Sequence, residues 1–410
     1  MWRPLRRHVI LATILPLAGC ASASRAPAGA GAPAARTAVA TGSGASCDAV
    51  VASTLAGIGR RIYGQAAHGR NVVAAVGRLH RSAALADAVG RGDAAATRAA
   101  LAPLLEHQIR RISITRGARV LAQIAGPPAL APVRGVLRDA AGRPVGRYVL
   151  AVSGAAAIAN ITSTLTGAGV TMTSGGRTVQ RVTVPGAAGH AARTISYRGT
   201  AFPRGALRVA LALPPTPPTS CAATVGGTRA QVVGAVGQRL VRTESQGPAV
   251  RRVLRVVATD PQLRAAIAHG DGATLRTAIV RLFGDRSLHV VRVRATTTAG
   301  RLVGDVGGPY VLSPASRTVR DAAGRPLGTV TLAIQDDTGY IKLMHRFTGA
   351  AVLLRTSAGP VPGSSLTPGP ATIPARGGVS YRGRRFDAYQ FTARAFPDGP
   401  LTVALLVSRR

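Results

Sequence analysis

The chain has 410 residues, enough for two domains of ordinary size, each burying its own core. Only 3% of the residues are aromatic, so such cores must be built mostly from Val, Leu, Ile and Ala. Lys and Arg number 52 against 15 Asp and Glu, a formal charge of +37, yet no aromatic residues interleave with the basic ones, which speaks against a base-stacking nucleic-acid surface.

In chain order, Arg3, Arg6 and Arg7 precede an apolar run from Val9 to Leu17, and Leu17-Ala18-Gly19-Cys20 closes the segment. The run is too short to span a bilayer and reads as an export signal, residues 1–20. A small-residue cleavage site ending in Cys resembles the bacterial lipobox. The resemblance implies lipid on Cys20 and an extracytoplasmic protein anchored to the cell membrane. Residues 21–45 are almost entirely Ala, Gly, Ser, Thr, Pro and Arg, the composition of a flexible tether. Cys47 and Cys221 each follow a Ser. Outside the cytoplasm a disulfide between them would persist, but spacing alone does not bring their Cα atoms together, so a bridge and two free thiols both stay open.

The mature part repeats itself. Gly126-Pro127 and Pro132 line up with Gly308-Pro309 and Pro314. Without a gap, Arg138-Asp139-Ala140-Ala141-Gly142-Arg143-Pro144 then meets Arg320-Asp321-Ala322-Ala323-Gly324-Arg325-Pro326. Gly92-Asp93 matches Gly270-Asp271, and Phe202-Pro203 matches Phe396-Pro397. This divides the chain into a first copy, 46–213, a Pro-rich linker, 214–220, and a second copy, 221–410.

Each copy begins with an amphipathic helix, with apolar Leu55, Ile58 and Ile62 in the first and Val233, Val236 and Leu240 in the second. Gly69 and Gly247-Pro248 interrupt it. Ser82 and Asp260 stand as N-caps of a second helix, and Gly92-Asp93 reads as a turn between helices. The period then switches to two, as at Ile112 and Ile114 or Val291 and Val293. The Asp-Ala-Ala-Gly segment turns one strand into the next. A short helix follows, and strands such as 207–211 and 401–406 close each copy. The fold class is therefore α+β, with antiparallel sheet.

A long N-terminal helix followed by an antiparallel sheet around an Asp-x-x-Gly-Arg-x-x-Gly hairpin resembles the extracytoplasmic Cache sensor domain, a PAS-like fold. The resemblance covers both copies and implies two tandem PAS-like modules. It further implies a sensor that binds a small acidic or amino-acid-like ligand. Cache domains ordinarily precede a membrane helix and an output domain. This chain ends at Arg409-Arg410, so sensing would require a separate membrane signalling protein.

The copies differ in a pattern. Where the first has Pro128, Gly154, Ala155, Ile158, Asn160 and Ser163, the second has Tyr310, Asp336, Asp337, Tyr340, Lys342 and His345. The second also inserts Arg384 to Arg394, which reads as an added strand. Candidate ligand-binding residues are therefore Arg292, Arg294, Tyr310, Asp336 and Tyr340. Each has a plainer reading: Asp336 as a helix N-cap, Tyr340 as core, the two arginines as solvated charges. No nucleophile elbow, His-x-x-x-His pair or phosphate loop stands in a suitable context, so neither catalysis nor a cofactor or metal is expected. The alternative to a sensor is an envelope protein whose positive field binds anionic wall or lipid polymers. The preference for Arg over Lys also fits a GC-rich genome.

Overall fold

The computed structural model describes residues 46–105, 109–184, 193–215, 220–285, 287–366 and 368–409. The export signal, Cys20, the tether and most of the Pro-rich linker lie outside the described residues.

The first half opens with four helices: α1 (Cys47–His68), α2 (Arg70–Arg81), α3 (Ala83–Arg91) and α4 (Ala94–Leu105). The second repeats them as α6 (Val225–Gln246), α7 (Pro248–Thr259), α8 (Pro261–His269) and α9 (Gly272–Gly284). Local chemistry sets each boundary. Gly69 and Gly247 take extended φ,ψ between the first two helices. Oxygens of Ser82 and Asp260 accept from the backbone N–H of Leu85 and Leu263, at 3.3 and 3.0 Å. The second helix foreseen from sequence then divides again. Gly92 and Gly270 turn left-handed, and Asp93 and Asp271 cap a further helix.

Strands follow in the first half as β1 (Arg111–Arg116), β2 (Arg119–Ile124), β3 (Ala129–Leu130), β4 (Val133–Arg138), β5 (Pro144–Ala151) and β6 (Ser153–Gly154). Next come α5 (Ala155–Thr166), β7 (Gly169–Ser174), β8 (Arg177–Val182), β9 (Arg193–Ala201) and β10 (Gly205–Leu213). In the second half they are β11 (Arg292–Thr297), β12 (Leu302–Gly307), β13 (Ala315–Arg320) and β14 (Pro326–Ala333). After these stand α10 (Asp337–Thr348), β15 (Ala351–Thr356), β16 (Gly359–Pro360), β17 (Arg376–Tyr381), β18 (Arg384–Arg394) and β19 (Pro400–Ser408).

The α+β class holds, and the antiparallel sheet of each half is resolved into two. One is four-stranded, β2-β1-β5-β4 or β12-β11-β14-β13. It packs on α2–α4 or α7–α9 around its own apolar cluster. The other is β6-β3-β9-β10-β7-β8 or β16-β15-β19-β18-β17. The Asp-Ala-Ala-Gly hairpin recurs in atomic detail. Asp139 accepts from the backbone N–H of Arg143 at 2.9 Å, and Asp321 from that of Arg325 at 2.8 Å. Gly142 and Gly324 supply the positive φ of that turn.

The inserted segment is placed differently from expectation. Arg384–Arg394 is the counterpart of β9, since both run beside the closing strand of their sheet. The added strand is β17, which pairs with the first half of β18 and has no partner of its kind among the described residues of the first half.

The two halves share a core. Leu55, Ile58 and Ile62 of α1 belong to one buried cluster with Val236, Leu240, Met344 and Phe347. The packing is reciprocal: α1 lies on α6 and α10, while α6 lies on α1 and α5. An arginine contact is made twice in consequence. The Arg239 guanidinium sits against Gly167 and donates to the Leu165 carbonyl at 3.2 Å, at the C-terminal end of α5. Arg61 sits in the same way against Gly349, at the end of α10. Both cations meet the negative end of a helix dipole. Cys47 and Cys221 form a disulfide with Cα atoms 5.7 Å apart, tying together the chain segments that lead into α1 and α6.

Candidate functional site

None of the five residues singled out from sequence lines the cleft described below. Arg292 is a strut within the second half. It donates to both carboxylate oxygens of Asp305 at 2.9 and 2.8 Å and to the Tyr310 carbonyl at 2.9 Å. Its guanidinium carbon lies 4.4 Å from the Phe396 ring centre. Arg294 shares Asp305 at 3.6 Å. Tyr310 thus enters this network through its backbone. Tyr340 is wholly buried between α10 and α6, where its hydroxyl donates to the Gly237 carbonyl at 3.3 Å. Burial pushes its phenol pKa up. Asp336 caps α10 through the N–H of Gly339. Its neighbour Asp337 is buried, accepts from the Val311 N–H with both oxygens at 3.1 Å, and has its pKa raised by that burial.

That cleft has a volume of about 700 Å³. It lies on the second half between the end of α6, the start of α7, β13 with the residues just before it, and the end of β18. Val241, Leu254, Pro314 and Phe391 make its apolar wall. Ser313, held at φ 54°, lines it with a hydroxyl that is buried and without a hydrogen-bond partner. A buried hydroxyl left unpaired costs about 1–3 kcal/mol. Arg242, Arg251 and Arg394 stand around the cleft, and no carboxylate lines it. Arg394 reaches Asp398 at 3.0 Å, whereas Arg242 has no carboxylate partner among the described residues.

The repeat supplies an internal control. Aligning α1 with α6 at their closing glycines sets Tyr63 opposite Val241. Pairing of Leu130 with Ala201 and of Leu312 with Ala395 sets Ala131 opposite Ser313 and Gly199 opposite Ala393. In the first half Tyr63 fills the equivalent space. Its hydroxyl donates to the Thr200 carbonyl at 3.0 Å and accepts from the Thr200 N–H at 2.6 Å. Gly199 makes room for it, because a Cβ there would lie 2.7 Å from the ring. Val241 has neither ring nor hydroxyl, and the Ala393 methyl stands where such a ring would press. Ring and glycine are thus both replaced in the second half, and a cleft lies there.

That volume falls within the range of small-molecule sites, and polar and apolar groups line the cleft in similar measure. Guanidinium groups around a carboxylate-free cleft favour a carboxylate or another planar anion. Asp336 lines a separate, acidic cleft with Glu244, Asp285 and His289. Burial raises the Glu244 pKa. Among the described residues no group of three His, Cys, Asp or Glu is placed to hold a metal ion, and no helix is long and apolar enough to cross a membrane.

No family model matches the chain, and no curated protein matches it. Among solved structures it is similar to the periplasmic domain of Vibrio cholerae LuxQ, at 12% identity and TM-score 0.30, over 42% of this chain and 98% of that one. The selenomethionine form of that domain gives TM-score 0.31 at 12% identity, over 44% and 98%. An extracellular ligand binding receptor from Desulfohalobium retbaense gives 0.26 at 12% identity, over 43% of this chain and 39% of that one. Similarities this slight carry no function across.

Proposed function

We propose that this chain is an extracytoplasmic small-molecule binding protein of the sensor type. In this reading lipid on Cys20 holds it to the cell membrane, and it reports ligand occupancy to a separate membrane protein. Residues 221–410 carry the ligand site, and residues 46–213 form a structural or partner-facing half joined through the linker 214–220. One observation carries the reading: the cleft beside Val241, plugged by Tyr63 in the first half and open in the second. The Cys47–Cys221 disulfide fits an oxidising compartment. The ligand class is a small acid or an amino acid, drawn by Arg242, Arg251 and Arg394.

Thermal unfolding of the protein in a panel of carboxylates and amino acids tests the binding half of this reading. A true ligand at about a hundred times its dissociation constant stabilises the native state by about 2.7 kcal/mol and raises the midpoint accordingly. A panel without any shift, with binding only to anionic polymers that salt abolishes, favours an envelope-polymer role instead. The anchor is tested separately. Cys20→Ser should leave the protein unlipidated and released from membranes or uncleaved. A processed form that still fractionates with membranes contradicts lipid attachment at Cys20.

A further inference from the structure

The seam between the halves holds a second cleft, of about 640 Å³, on the side where α1 meets α10. Arg61 and Arg70 reach it from the first half, and Lys342, His345 and Arg346 from the second. Lys342, His345 and Arg346 lie at i, i+3 and i+4, so one face of α10 presents all three. Among the described residues none of these cations is ion-paired, and no carboxylate lines the cleft.

Arginine excess alone would charge both sides of a reciprocal seam equally. It does not. Where α6 meets α5, Arg239 stands in for Arg61, but Pro248 replaces Arg70, and Asn160, Ser163 and Thr164 replace Lys342, His345 and Arg346. Even counting Arg181, in sequence register with Gly363, the positions equivalent to that lining hold two cations. The α1–α10 side has four permanent ones and a histidine, including the chain's one lysine. Charge is concentrated on one of two equivalent surfaces, which composition does not explain.

We propose that this cleft is a binding site for a phosphate-bearing polyanion, distinct from the small-molecule cleft beside Val241. Two or three cationic groups suffice to hold one phosphate, so four permanent cations fit a ligand with more than one phosphate, or a phosphate within an anionic array. A lipid headgroup layer and a soluble oligophosphate share that chemistry.

The test measures binding of inorganic tripolyphosphate to the whole protein by calorimetry. Lys342→Asn/Arg346→Thr, which installs the residues of the other side at partly or fully exposed positions, should weaken binding roughly tenfold or more. Arg119→Asn/Arg177→Thr removes the same net charge at positions that do not line this cleft and should change affinity by less than about twofold. Equal weakening by both double variants would overturn the site in favour of a diffuse field, and so would weakening by neither. Flotation of the protein without lipid on Cys20, with phosphatidylglycerol vesicles, separates the sources. Vesicle binding lost in the seam variant alone assigns the site to a lipid headgroup. Vesicle binding absent, or unchanged while tripolyphosphate affinity falls, assigns it to a soluble phosphate ligand.

Discussion

Expressed without residues 46–213, the second half will not persist as a folded monomer. Val233, Val236 and Leu240 of α6, with Met344 and Phe347 of α10, belong to the same buried cluster as Leu55, Ile58 and Ile62 of the first half. Cutting the chain between the copies uncovers that apolar face, and a contiguous exposed patch of this kind drives association. The reciprocal packing offers a specific escape, because α6 and α10 can lie on the same elements of a second copy much as they lie on α1 and α5. Sedimentation equilibrium should therefore find a dimer or larger species for residues 221–410, and a monomer for the whole chain. A stable, cooperatively unfolding monomer of the isolated half would show that the shared core contributes little.

Breaking the disulfide should be the most damaging conservative change. Cys47 and Cys221 are 174 residues apart, so their bond closes the entire first half into one loop of the unfolded chain. On the chain-entropy model a loop of that length is worth about 5 kcal/mol. Cys47→Ser/Cys221→Ser should lower the unfolding free energy by about that amount, read as a urea midpoint lowered by the same loss divided by the slope, with a changed slope only if the unfolded state expands. A loss under about 1 kcal/mol would mean that the α1–α6 pairing is set by side-chain packing alone.

Features written in adjacent residues were legible before the structure. Ser82, Asp260 and Asp336 cap helices, and the Asp139 and Asp321 turns join strands, because a cap or hairpin needs only a few neighbouring positions. Division of each half into two sheets was not legible. It depends on pairings such as Leu130 with Ala201, whose partners are remote in sequence. Arg292 reads as a free cation until its neighbouring strand brings Asp305 beneath it. The cleft was missed for a related reason. Val241, Ser313 and Ala393 come from three distant segments, and each alone looks like an ordinary core exchange. Aligning the helices at Gly69 and Gly247, and the closing strands at Phe202-Pro203 and Phe396-Pro397, would have exposed the paired change of Tyr63 to Val241 and Gly199 to Ala393, the signal that was available.

That pair also supplies the most direct measurement. Val241→Tyr/Ala393→Gly rebuilds in the second half the plug that the first half already tolerates, ring and glycine together, so the variant should fold. Once thermal unfolding has identified a small acid or amino acid that stabilises the protein, calorimetric titration should show its binding to the intact protein and a loss of roughly a hundredfold or more in the plugged variant. Ligand affinity unchanged by the plug would contradict a site in the cleft beside Val241.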